Sequence, residues 1–442
     1  MEVHYKHFRA TYGENWSKTV WLFKDGRSFW INNTPDIEAA GEKVFVKYML
    51  PKESREKIYK EWQTIVRDVL TIEQKIDSLD LVSISNPELG EVWNALIEYY
   101  IAFWTSGSVP ELANYGSTTY LQNKLRVLVP QETDVALIME ILTAPTRMSF
   151  YQEEEVSLAK ANDLPKHHQQ FFWLKNSYAG TQILPMEFFA ERKKDLKSEI
   201  EIEIKKKLAE TIARKLAVQK QFNVPSDIME ISEAISDGVG WQDERKKYIF
   251  MILHYIDVLV AEIARRFEYD FNELHNLWHY QIAEIIEGKN LHPELAKRAK
   301  GFGVQFFHDC RELSAEETEF FWNVYSTEKV VAGTNEVKGI VASKGNGGVV
   351  RGKIHILLDP MKAELFQDGE ILVAPMTSPE YIFAMKKACA VLTDTGGLTS
   401  HAAIVSRELG IPCLVGTKVA TTVFQDGDVV EVNSGEGIAR KV

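Results

Sequence analysis

Two rhythms of apolar and polar residues divide this chain. From about residue 36 to residue 325 apolar side chains recur every three or four positions, the period of a helix that buries one face. The stretch from Asn86 shows the pattern well. Leu89, Val92, Trp93, Leu96 and Tyr100 share a face, Asn86 offers a cap and Pro87 suits the first turn. The charged stretch Glu191–Lys220 is rich in Glu, Lys, Ala and Leu and predicts one helix, although Ile200, Ile202 and Ile204 alternate in a strand-like way. Ser314 followed by Glu317 forms a capping-box pattern ahead of Phe320, Phe321 and Trp322, so a last helix begins there. Before residue 36, Lys24-Asp25-Gly26 between aromatic runs predicts a small strand or hairpin element.

After Tyr325 the rhythm changes. A polar stretch from Ser326 to Val337 is followed by short β-rich runs at Gly339–Ala342, Lys353–Leu358, Ile371–Ala374, Ala390–Thr393 and Val429–Val432. Turns at Gln367-Asp368-Gly369 and Gln425-Asp426-Gly427 separate them, and helical stretches at Pro379–Lys387 and Ser400–Leu409 interrupt them. Glycine and tryptophan mark the same divide: 13 of the 26 glycines fall between Gly339 and Gly437, whereas all ten tryptophans precede residue 330. The expected architecture is multidomain, α followed by α/β. Residues 1–35 form a short N-terminal strand or hairpin element, 36–325 an α-helical domain for substrate binding or scaffolding, 326–337 a hinge and 338–442 a β/α domain. Extended, the 12 hinge residues would reach at most roughly 40 Å.

Composition narrows the function. A formal charge of −12 argues against a nucleic-acid footprint, since the lysine clusters alternate with glutamates. No run of 18 apolar residues exists, and the N-terminal MEVHYKHFRA lacks the order of a secretion signal, so a cytoplasmic protein without a membrane partner is expected. Cys310, Cys389 and Cys413 have neither metal-ligand spacing nor the even count of a disulfide framework, and none is expected to be a nucleophile.

The chemistry concentrates in Thr393-Asp394-Thr395-Gly396-Gly397-Leu398-Thr399-Ser400-His401-Ala402-Ala403-Ile404-Val405-Ser406-Arg407. A strand runs into a glycine pair and then into a helix start. Helix N-termini carry unpaired N–H groups and positive dipole ends, which suit a phosphate dianion. Gly396 and Gly397 allow close backbone approach, Thr399 can cap the helix or donate to a phosphate oxygen, and Ser400 adds a second hydroxyl. A neutral imidazole at His401 is a competent nucleophile near neutral pH, and the helix start favours that neutral form. Arg407, six residues on, points away from the His401 side chain by helical geometry and is expected to support the fold or dock a domain.

The run Gly396–Arg407 resembles the phosphorylation-site signature of the PEP-utilising enzymes, the family of phosphoenolpyruvate synthase, pyruvate phosphate dikinase and rifampin phosphotransferase. The similarity extends through Ala374-Pro375-Met376-Thr377-Ser378-Pro379-Glu380 before it and Glu408–Gly416 after it, covering roughly residues 337–442. A looser likeness reaches back to about Trp241, and Gly345-Asn346-Gly347-Gly348 departs from the family as a longer turn. The resemblance implies that residues 338–442 are the swivelling mobile domain and that His401 is its phosphohistidine, supported by Gly396, Gly397, Thr399, Ser400 and Arg407. In relatives the phosphoryl group comes from the β-position of ATP in an ATP-grasp domain. The first 240 residues here hold only nine glycines and no cluster able to cradle a triphosphate, and the chain stops just after the carrier region, without room for a PEP-binding barrel. The expectation is therefore a phosphotransferase subunit. ATP and Mg²⁺ would bind a separate ATP-grasp partner, and a small-molecule acceptor would receive the group, as in a synthase-like or rifampin phosphotransferase-like reaction. The alternative is a noncatalytic regulatory or binding protein that keeps the carrier fold.

Other motifs read more plainly. Gly347–Lys353 imitates a phosphate loop, but Ile354 stands where a magnesium-binding hydroxyl is required. His275 and His279 lack a third ligand, so no metal site is expected, and His167 and His168 are expected in a solvated loop. The aromatic clusters Tyr99, Tyr100, Phe103, Trp104 and Phe171, Phe172, Trp173 are expected to pack a core rather than line an apolar pocket.

Overall fold

The computed structural model describes residues 3–24, 27–178, 180–307, 309–326, 334–345, 348–397 and 400–442. Contacts divide the chain into two compact units, Met1–Phe150 with Lys207–Ser326, and Tyr151–Lys206 with Thr327–Val442. The segment 151–206 thus groups with the C-terminal region, which periodicity along the chain does not reveal. A mostly helical N-terminal region and a C-terminal β/α region are both present.

The first unit is built on long helices, among them Lys52–Ser78, Asn86–Gly107 and Ser226–Phe267. Leu89, Val92, Trp93 and Leu96 are buried along one face as the period requires. The cap, however, is Ser85 and not Asn86: the Ser85 side chain accepts from the Glu88 N–H, and Glu88 returns a bond to the Ser85 N–H at 2.8 Å. A hydroxyl satisfies an exposed first-turn donor as well as an amide does, so the cap stands one residue earlier than read, and Glu88 completes a capping box. Helix Ala315–Ser326 carries the expected box, with Ser314 accepting from Glu317 N at 3.1 Å and Glu317 accepting from Ser314 N at 2.8 Å.

A four-stranded antiparallel sheet accompanies these helices, with strands β1 (Thr19–Lys24), β2 (Arg27–Asn32), β3 (Phe302–Phe306) and β4 (Cys310–Glu312) in the order β2-β1-β3-β4. The tip residues Asp25 and Gly26 of the β1–β2 hairpin lie outside the described residues. Strands β3 and β4 correct the helical reading of this part of the chain. Phe302, Val304 and Phe306 alternate into one cluster, the two-residue period of a half-buried strand, and β3 pairs with β1 from nearly 300 positions earlier.

In the second unit, residues 151–206 form helices Phe150–Lys160, Leu164–Phe171, Met186–Asp195 and the beginning of Ile200–Gln221. The single helix read over Glu191–Lys220 is therefore two, broken between Asp195 and Ile200, where the Leu196 backbone is extended (φ −77°, ψ 131°). His167 and His168 are helical rather than in a loop, because Asp163 caps Lys166 N at 3.1 Å and Pro165 fills the first turn.

The remainder folds on an eight-stranded sheet. Its strands are β5 (Glu336–Lys338), β6 (Ile340–Lys344), β7 (Val349–Ile356), β8 (Ile371–Ala374), β9 (Ala390–Thr393), β10 (Pro412–Val415), β11 (Val429–Asn433) and β12 (Ile438–Lys441), in the order β5-β12-β11-β7-β8-β9-β10-β6. The pairs β7–β8, β8–β9 and β9–β10 are parallel, and the outer pairs are antiparallel. Continuous apolar runs such as ILVA in β8 belong to strands covered on both faces. Leu372, Ala374, Val391 and Cys413 point to one face, with Ala402, Ala403, Val405, Ala384 and Met385. Ile371, Val373, Ala390 and Leu392 point to the other, with Val423, Phe424, Val430 and Val432. The expected helix Pro379–Lys387 is a 3₁₀ turn, Pro379–Tyr381, followed by a short α-helix, Ile382–Met385. Residues 327–333 of the hinge, and Asn346 and Gly347 of the long turn, lie outside the described residues.

Candidate phosphohistidine site

Parallel strands β8 and β9 end side by side, Ala374 opposite Thr393, so the loops that follow them are neighbours at the carboxyl edge of the sheet. The first loop carries Thr377; the second carries the glycine pair and leads to the helix His401–Leu409. Thr395 closes the two together. Its N–H and its hydroxyl both donate to the Pro375 carbonyl, at 2.9 and 3.0 Å, while Thr393 Oγ1 donates to Thr395 O at 2.7 Å.

His401 is the first residue of its helix and half-buried. Ser400, rather than Thr399, is the cap, in extended backbone (φ −69°, ψ 160°) with its side chain accepting from Ala403 N at 3.4 Å. Thr399 and Leu398 lie outside the described residues. Gly396 has φ +114°, and a Cβ on it would stand 3.1 Å from Ser400 Cβ and Oγ, so the turn requires glycine at that position. Among the described residues, a Cβ on Gly397 would meet nothing within 4 Å.

One ring nitrogen of His401 is held: Thr377 Oγ1 lies 3.0 Å from Nδ1, and Thr377 is buried. Sequence reasoning missed this residue as a site member, although it stands in the stretch Ala374–Glu380 that carries the resemblance. Asp394 was missed too. Its carboxylate accepts from Thr421 N at 3.1 Å, from the Thr421 hydroxyl and from Thr417 Oγ1 at 3.3 Å. The Thr417 N–H and hydroxyl also bond Thr393 O, each at 3.0 Å, so the loop after β10 braces the glycine turn from behind. A half-buried charge with several donors is a stiff support. Arg407 lies a turn and a half further along the helix, where its Nη1 donates to Ala342 O on β6 at 3.1 Å.

Burial pushes the Cys413 thiol up to about 12, and Cys389 is raised for the same reason, so neither is a thiolate at neutral pH. Among the described residues no group of His, Cys, Asp and Glu side chains is arranged to hold a metal ion. His275 is paired instead with Asp257, at 2.8 Å. Among the described residues no helix is long and apolar enough to cross a membrane.

Residues 366–437 match the family described as PEP-utilising enzyme, mobile domain. A probable phosphoenolpyruvate synthase of Archaeoglobus fulgidus is 47% identical over 108 residues, which is 24% of this chain and 14% of that protein. The phosphoenolpyruvate synthase of Pyrococcus furiosus is 44% identical over 130 residues, 29% of this chain and again 14% of the relative. An uncharacterized phosphotransferase of Bacillus subtilis is 31% identical over 204 residues, 41% of this chain and 24% of that protein. The matched stretches thus span a small part of each relative's length.

Proposed function

Because the C-terminal part of this chain belongs to the mobile-domain family of the PEP-utilising enzymes, we propose that the protein is a phosphotransferase component that carries a phosphoryl group on His401. The observation that carries the reading is His401 at the first position of a helix behind a glycine turn, with Nδ1 against Thr377 Oγ1. In the tautomer where Nδ1 holds the proton and donates to Thr377, Nε2 has the lone pair and is the nucleophile.

Two displacements follow. Nε2 attacks the donor phosphorus, the P–N bond forms and the P–O bond to the leaving group breaks. An acceptor oxygen then attacks the same phosphorus, the P–N bond breaks and Nε2 recovers its lone pair. The proton stays on Nδ1, donated to Thr377 Oγ1, so the ring is neutral before the first step, cationic while Nε2 carries the phosphoryl group and neutral again after the second. Helix-start and glycine-turn N–H groups, and the hydroxyls of Ser400 and Thr399, support the phosphoryl oxygens, while Arg407 anchors the helix to β6. The donor is the β-phosphoryl of ATP on a separate ATP-grasp subunit, with Mg²⁺ bound there: AMP leaves as Nε2 attacks the β-phosphorus, and water then attacks the γ-phosphorus, breaking the β–γ bond and releasing phosphate before the group passes to the acceptor. Residues 338–442 swivel on the 326–337 hinge to deliver the group to a small-molecule acceptor.

The test uses wild type and His401→Ala with an ATP-grasp subunit and ATP labelled separately at the β and γ positions. Acid-labile β-label on wild type alone supports the proposal. Label from phosphoenolpyruvate without any partner would replace the ATP-grasp part of it. No label from either donor would leave a binding protein that keeps the carrier fold.

A further inference from the structure

Among the described residues, a cluster of side chains joins the segment 151–206 to the sheet region of its own unit. Phe383, on the short helix Ile382–Met385, is the centre of that contact. Tyr151 meets its ring edge-on at 5.7 Å between centroids and Phe188 at 6.0 Å. The cations of Lys175 and Arg192 lie over the same ring, at 5.3 and 5.4 Å. Three residues on, Lys386 forms an ion pair with Glu155, whose carboxylate also lies 3.7 Å from Arg192. Behind Glu155, Arg192 donates to the fully buried Glu154 at 2.7 Å, and Glu154 meets His167 at 3.1 Å.

Two further observations set this contact apart from a shared core. Among the described residues no backbone hydrogen bond joins 151–206 to 334–442. The two apolar clusters that cover the faces of the eight-stranded sheet contain no residue of 151–206. Among the described residues, the side-chain contacts at Phe383 and Lys386 are an aromatic plug, two cations and an ion pair. Contacts of that kind open at low cost and weaken as salt screens them, unlike apolar packing.

We propose that residues 151–206 are a dock from which the sheet region releases as a body, with Phe383 as the plug and Lys386–Glu155 as the charge lock. The docked helix follows directly on the loop that carries Thr377, so the dock grips the sheet region next to the His401 site. Release itself rests on these contacts alone. Its use, freeing His401 to travel between donor and acceptor, rests on the carrier reading above.

Hydrogen exchange followed by mass spectrometry on the full chain tests the dock, at low and high salt, for wild type, Lys386→Glu, Phe383→Ala and His401→Ala. Lys386 is exposed, so its reversal leaves the fold intact, and Phe383→Ala removes the plug without touching charge. Both are expected to speed exchange severalfold at 151–160, 186–195 and 382–388 together, as does added salt in wild type. Exchange in β8, β9 and β10 should stay as in wild type. Unchanged exchange in both variants overturns the dock, and so does loss of protection in β8–β10 alongside the contact, which would make the two parts one folding unit. His401→Ala should exchange as wild type does while losing all phosphoryl label, so failure of the dock and failure of the carrier reading are told apart.

Discussion

Two histidines in the same unit show how placement, not the imidazole itself, sets its use. His167 lies inside the helix Leu164–Phe171, buried, with Nε2 on Glu154 at 3.1 Å and Nδ1 on Ser157 at 3.1 Å. Its ring stacks on Phe171 at 4.7 Å and meets Phe189 edge-on. His401 stands at the first position of its helix, half-buried, with Nδ1 on the neutral Thr377 hydroxyl. A ring clamped at both nitrogens by packed elements is a brace between helices. A ring at a helix start, with one nitrogen on a neutral hydroxyl beside a glycine turn, stands where an anion is favoured. The contrast teaches that Glu154 and Arg192 immobilise their histidine by charge, whereas Thr377 orients its histidine without adding charge that would compete with a phosphoryl group.

The sharpest way to break the contrast is to remove each ring in turn. His401→Ala should abolish phosphoryl labelling while leaving thermal stability near wild type, since the side chain is half-buried at a helix start. Loss of fold instead would make His401 a second brace. His167→Ala should do the reverse. It leaves the Glu154–Arg192 pair short of a partner in a buried site and opens a cavity, costing about 2–4 kcal/mol in urea or thermal unfolding. Folded His167→Ala protein should still accept label, and a folded variant that does not would put His167 in the reaction.

Smaller changes sharpen the comparison. Thr377→Val removes the orienting hydroxyl and should slow labelling roughly tenfold with little loss of stability, as does removing the group that orients other reactive imidazoles. Thr377→Ser should restore the rate, and equal slowing in both would assign the effect to packing of the methyl group. Asp394→Asn keeps the shape but loses charge-assisted bonds to Thr417 and Thr421, and should cost about 1–2 kcal/mol of stability. Labelling should fall less than in Thr377→Val, since Asp394 braces its loop against the loop after β10, whereas Thr377 bonds the ring itself.

What could be read from the chain differs between the two histidines for a physical reason. The His401 turn is local: strand, Gly396-Gly397 and helix start lie within about fifteen consecutive residues, and β8 and β9 are continuous apolar runs that identify themselves. The offsets there are single positions, such as Ser400 capping where Thr399 was expected to serve. Thr377 escaped notice as a partner because it lies 24 residues from His401, and only the parallel pairing of Ala374 with Thr393 brings them together. The surroundings of His167 are tertiary throughout. Glu154, Ser157 and Arg192 come from two other helices, so a His-His pair after a proline gave no sign of a buried brace. Strand β3 was hidden in the same way, since its five residues become a strand by pairing with β1 far back in the chain.

The most direct measurement is phosphohistidine mapping on the tryptic fragment 388–407, whose only histidine is His401. After incubation with an ATP-grasp subunit, Mg²⁺ and ATP, and digestion under alkaline conditions, this fragment should carry one phosphoryl group that acid removes, and the His401→Ala fragment none. An acid-stable phosphoryl group on the fragment, or label that persists on the His401→Ala chain, would contradict the assignment of His401 as the carrier.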